Sequence, residues 1–124
     1  MKNVQGLLVD AEHGTIAVCS TPNSLKSYYK ILQCDTIDII SARFGPYVLD
    51  VFCDDEALLK NSFTVSAVDE NHKPILVGNL FIASHDEEGN TISLEKEHID
   101  YILKRCVLLV IQGGKVRSVV VCSR

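Results

Sequence analysis

The order of apolar and polar positions cuts the chain into short stretches separated by turns. Residues 5–11 (QGLLVDA) are apolar enough for a strand, Glu12-His13-Gly14 supplies a turn, and residues 15–20 (TIAVCS) alternate with Ile16 and Val18 on one face. This pattern predicts an opening hairpin with Gly14 at positive φ. Asn23 or Ser24 then caps a helix from Leu25 to about Gln33, whose apolar face is Leu25, Tyr28, Tyr29 and Leu32. Residues 36–44 (TIDIISARF) and 47–53 (YVLDVFC) flank Gly45-Pro46 and predict a second hairpin. Its second strand presents Tyr47, Leu49, Val51 and Cys53 on one face and Val48, Asp50 and Phe52 on the other.

Asp54-Asp55-Glu56 suits the positive start of a short helical turn, EALLK (56–60), and residues 63–69 are expected to be extended. Residues 75–84 (ILVGNLFIAS) read as one strongly apolar strand, with Gly78 marking a bulge or a close backbone approach. After an acidic turn at 85–90, Ser93 is the expected N-cap of the clearest helix. Glu95 and Glu97 lie in its first turn, Lys104 and Arg105 in its last, and Leu94, His98, Ile99, Ile102 and Leu103 form its facing stripe. VLLVI (107–111) and VRSVVVC (116–122), joined through Gly113-Gly114, predict a closing hairpin. The fold class that follows is α+β: a mainly antiparallel or mixed β-sheet with two main α-helices packed against it.

Composition narrows this picture. The 124 residues suit one domain, 1–124, and 47% are hydrophobic against 23% charged, as in a folded globular chain. The net charge of −4 argues against nucleic acid as a partner, because neutralising phosphates requires a basic surface. The opening apolar run is interrupted at Asp10 and is too short for a signal peptide, and no run spans a bilayer. A cytoplasmic protein with no membrane partner is therefore expected. Cys19, Cys34, Cys53, Cys106 and Cys122 are odd in number and lack CxxC spacing, so they read as core thiols rather than a disulfide framework or a zinc site.

No sequence of the GxGxxG, phosphate-loop, GxSxG or HExxH type is present, so no cofactor and no metal ion are expected. The four histidines are not spaced as metal pairs, and His85-Asp86-Glu87-Glu88 lacks the alternation of a calcium loop. Tyr28 and Tyr29 project about 100° apart on a helix, so one belongs in the core while the other is free to stack near Lys26, Lys30 and Arg43. Asn79 is polar within an apolar run and needs either solvent or a hydrogen-bond partner.

Residues 24 to 103 carry a family resemblance. Cys53-Asp54-Asp55-Glu56, Leu58-Leu59-Lys60-Asn61, Leu76-Val77-Gly78-Asn79 and Ser93-Leu94 resemble the motifs of a family of small bacterial and phage proteins, domain of unknown function 3846. The chain departs from that pattern by lacking a proline near the LLKN segment, and its final hairpin, 107–122, stands as an addition to the family core. The resemblance implies a setting among mobile genetic elements and gut bacteria, and no mechanism.

Three functions follow as expectations. The first is a non-catalytic binding module acting through a protein partner or as a homo-oligomer, with VLLVI and VRSVVVC as exposed edges. The second is a binder of a small, nucleotide-like ligand, with Tyr29, Arg43, Asn79 and His85 as contacts. The third is a small hydrolase using Asp54, Asp55 or His85.

Overall fold

The computed structural model describes residues 2–57, 64–110 and 113–124. Strand β1 (Asn3–Asp10) turns at Gly14 (φ +68°) into β2 (Thr15–Pro22), as the alternation predicts. Helix α1 (Leu25–Leu32) is capped by Ser24, whose Oγ accepts the Ser27 amide at 3.2 Å. It ends at Gln33, which takes a left-handed conformation (φ 55°) and returns its amide to the Lys30 carbonyl. β3 (Ile37–Phe44) and β4 (Tyr47–Asp54) form the second hairpin around Gly45. Then come β5 (Val65–Val68), β6 (Pro74–Val77), β7 (Leu80–His85), β8 (Thr91–Ile92), α2 (Lys96–Arg105), β9 (Val107–Val110) and β10 (Val116–Val121).

The strands make two sheets rather than one. The larger runs β2-β1-β7-β4-β3, with every neighbour antiparallel and β8 added to β7. The smaller runs β6-β5-β10-β9 and is mixed, because β5 and β10 are parallel while the outer pairs are antiparallel. The architecture is thus α+β and mostly antiparallel. The correction falls on residues 75–84, which are two strands in two different sheets. Gly78 (φ +79°) and Asn79 form a corner between β6 and β7 where a bulge or a close backbone approach within one strand was expected, since a left-handed residue redirects the chain. A second correction concerns α2, whose N-cap is Glu95 and not Ser93. The Ser93 hydroxyl is spent on the Gln5 amide at 2.9 Å, tying β1 to the segment ahead of the helix. The expected helical turn at EALLK and the LLKN motif extend beyond Ala57, outside the described residues.

Strand alternation sends each strand of the large sheet to two cores. On one face Val4, Phe52, Phe81 and Ala83 pack under α1, with the Tyr28 ring 4.6 Å from Phe52 and 5.8 Å from Phe81. On the other face Leu7, Val9, Leu49, Val51, Leu80 and Ile82 meet Ala67, Val120 and Cys122 of the small-sheet segment and Leu94 and Ile102 of the α2 segment. β10 crosses this second face like a strap. At its start the Ser118 amide donates to the Gly14 carbonyl (2.9 Å), beside edge strand β2. Just past its end Ser123 exchanges both backbone hydrogen bonds with Arg43 on the opposite edge strand, β3 (2.7 and 3.0 Å).

Candidate functional site

The four predicted contact residues are not brought together. Tyr28 is the buried member of the tyrosine pair, and its hydroxyl donates to Asn23 Oδ1 at 2.6 Å. Tyr29 is half-buried and lines a shallow depression with Lys26, Lys30 and Asp35 on the flank of α1. Asn79 is structural: its Oδ1 accepts the Ala11 amide at 2.8 Å and pins the β1–β2 turn to the β6–β7 corner. His85 lies at the end of β7 and bonds Asp50 through Nδ1 (3.1 Å) on the face that α1 leaves partly open. Asp54 and Asp55 are at the other end of β4 from Asp50, four or more residues away, so the carboxylates proposed for hydrolysis do not meet His85. Asp54 instead accepts the Glu56 amide at 2.9 Å in a local turn. Among the described residues no group of three or more His, Cys, Asp and Glu side chains is placed to hold a metal ion.

The cysteines carry no disulfide. Burial pushes the Cys53 thiol up to about 11 and the Cys122 thiol up to about 12, and it raises Cys19 as well. Thiols held so far above neutrality are poor nucleophiles.

Two features remain that could do something. The first is the β9–β10 hairpin. Leu108, Val110 and Val116 are 67%, 74% and 55% exposed, the barest cluster of large apolar side chains on the described surface. Val110 pairs directly with Val116, and Leu108 lies two residues back on the same face, so the three form one patch. β9 is also the terminal strand of its sheet, with one edge unpaired. The expectation that both VLLVI and VRSVVVC are edges is corrected here: β10 is interior, between β5 and β9, and only β9 is an edge. Ile111 lies outside the described residues.

The second is a cleft of about 320 Å³ bordered by Arg43, Gly45, Glu70, His72, Tyr101 and Arg105, with Val107, Val121 and Cys122 behind them. Arg43 is the only predicted contact residue that reaches it. The others were missed because they come from a turn after β5 and from the end of α2, far apart in sequence. Lys104 and Arg105 read as helix-end charges, but the four-residue spacing of Tyr101 and Arg105 on α2 is a local signal that sets the guanidinium beside the ring.

With the geometry in hand, comparison adds one result. The family model of a domain of unknown function, DUF3846, matches residues 1–107. The chain belongs to this family. No curated protein and no solved structure matches it. Within the DUF3846 stretch, the motifs that carry the resemblance are corners: the Asp54–Glu56 turn, the Gly78-Asn79 bend and the Ser93-Leu94 clasp, where the Leu94 amide also donates to the Gln5 carbonyl at 2.9 Å. The DUF3846 match stops where β9 begins, so the exposed hairpin face lies past its end. Among the described residues no helix is long and apolar enough to cross a membrane.

Proposed function

We propose that this DUF3846 chain is a non-catalytic interaction module that associates with a second copy of itself through β9. The observation that carries this reading is the undefended edge of that strand. Other edges carry guards or are short: β6 opens with Pro74, β2 ends in Pro22, β3 carries Asp38 and Arg43 and is bridged by Ser123, and β8 is two residues long. β9 reads VLLV, with no charge, no proline and no glycine, and its two outward side chains are apolar. Antiparallel pairing of β9 with its own copy satisfies the free amides and carbonyls and sets Leu108 and Val110 of each chain against those of the other.

Sedimentation velocity over a micromolar concentration series tests it. The native chain is expected to show a dimer that grows with concentration, and the double variant Leu108→Lys/Val110→Lys a monomer with unchanged circular dichroism. A native chain that stays monomeric throughout the series, or a double variant that dimerises as well as the native chain, overturns the reading.

A further inference from the structure

The cleft at the end of α2 combines features that the association through β9 does not use. Arg105 is held in place: its guanidinium lies over the Tyr101 ring, 4.8 Å from the centroid. A guanidinium stacked in this way keeps its in-plane N–H groups pointing outward. Tyr101 is itself fixed, edge-on to Tyr47 with centroids 5.5 Å apart and with its hydroxyl packed against Gly45, where any side chain would collide with it. Arg43 has its backbone anchored on both sides by Ser123. Among the described residues neither guanidinium has a carboxylate partner or a hydrogen-bond acceptor. Both arginines border the same cleft.

The geometry points to a binding site for a small phosphate monoester, with Arg43 and Arg105 as the anion-binding pair and His72 on the rim. A guanidinium matches two phosphate oxygens at once, which a lysine cannot do. The size fits, since about 320 Å³ lies at the small end of ligand sites. The charge also limits the ligand. Glu70 is the one carboxylate on the wall and the chain as a whole carries −4, so a polyanion such as a nucleic-acid backbone is disfavoured while a single phosphate is accommodated. Arg105 already covers one face of Tyr101 and Tyr47 meets the ring in a T-shaped contact, so nucleobase stacking is not the basis of recognition. Recognition therefore rests on the phosphate and its immediate hydroxyl-bearing neighbours, for which Glu70 is an available acceptor.

The test is a titration of the isotope-labelled chain with ribose 5-phosphate, inorganic phosphate and acetate, followed by amide chemical shifts. Saturable shifts at Gly45, His72 and Arg105 are expected with both phosphates and not with acetate. Arg43→Gln and Arg105→Gln should each weaken binding about 10-fold or more, the usual effect of losing a charge-assisted hydrogen bond. Arg105→Lys should recover only part of the loss, because the charge returns without the fork. Lys26→Gln/Lys30→Gln, on the α1 depression, should change nothing. Shifts centred on α1, equal response to acetate, no saturable shift at all, or binding that survives both arginine substitutions in chains whose spectra remain dispersed would overturn the site.

Discussion

At the scale of single residues, the turn between β1 and β2 does more than reverse the chain. Asp10 accepts both the backbone amide of His13 (3.1 Å) and its ring nitrogen (2.8 Å). Ala11 gives its amide to Asn79 and accepts Arg117 at its carbonyl, and Gly14 receives the strap at Ser118. Burial pushes the Asp10 carboxyl up, but the hydrogen bonds from His13 outweigh it and hold the group below its ordinary 3.8. The same contact raises His13 above 6.5. The stabilisation from His13 is therefore complete below its unfolded value and is lost as pH rises through the higher folded one. That from Asp10 is complete above 3.8 and is lost as pH falls through the lower folded value. The pair works best in mildly acid solution, between the two groups. Proton titration of His13 by NMR should give a raised midpoint that falls back towards 6.5 in Asp10→Asn, with a matching loss of the thermal-stability change across that midpoint. A His13 midpoint that ignores the substitution would show that the contact does not persist in solution.

Also at this scale, the thiols separate by burial. Cys34, Cys53 and Cys122 are buried, while Cys19 and Cys106 are half-exposed. Iodoacetamide in the absence of denaturant should leave the first three unmodified, as read by mass spectrometry, and denaturant should release them to label fully. Early labelling of Cys122 would mean that the segment following β10 is loosely held. Of the five cysteines that read as core thiols, Cys34, Cys53 and Cys122 are in the core, whereas Cys19 and Cys106 are not. The sequence carried the contact residues poorly. Asn79 was correctly singled out as a polar group needing a partner, but whether that partner is a ligand or the Ala11 amide depends on where two distant loops meet.

At the scale of elements, the hairpins and α1 were legible because each is decided by neighbours in sequence: alternation, a turn glycine, a serine cap. The split at Gly78-Asn79 was not, because a glycine inside an apolar run looks the same whether the strand bulges or leaves its sheet. The shift of the α2 cap from Ser93 to Glu95 escaped for a related reason, as the competing amide belongs to Gln5, 88 residues away in sequence. Gly6 illustrates a tertiary demand on one element. It sits mid-strand in β1, and a methyl there would meet the Ile82 carbonyl oxygen and the Phe81 ring. Backbone cannot move aside as a flexible side chain does. Gly6→Ala should therefore lose about 1–3 kcal/mol in urea denaturation, in the range of overpacked cores. A variant as stable as the native chain would mean that β1 and β7 are farther apart than described.

At the scale of the whole molecule, what the sequence concealed was the parallel pairing of β5 with β10. Adjacent strand-turn-strand units suggest antiparallel neighbours, and nothing local in VRSVVVC shows that it runs beside Val65–Val68 across about 50 intervening residues. Yet Val120 and Cys122 are buried in the larger core, so the strap closes it. Burying a side chain the size of Val120 contributes about 1.5–3 kcal/mol, a large part of a small domain's net stability. A chain cut after Val107, where the family match ends, should accordingly lose its sigmoidal urea transition by circular dichroism. A sharp transition in that fragment would mean that the matched stretch closes its own core.

The strap also sets an order of events during synthesis. The hairpins and α1 can organise as they emerge, but the inner face of the large sheet has to wait for residues 116–123, which follow in sequence every strand of that sheet. Until then the cover over Leu7, Leu49 and Ile82 lacks Val120 and Cys122, and the nascent chain stays sticky on that side. Slow translation of residues 107–123 would prolong that exposure, so this protein's yield should depend on codon choice there more than in the stretch that encodes β1 and β2.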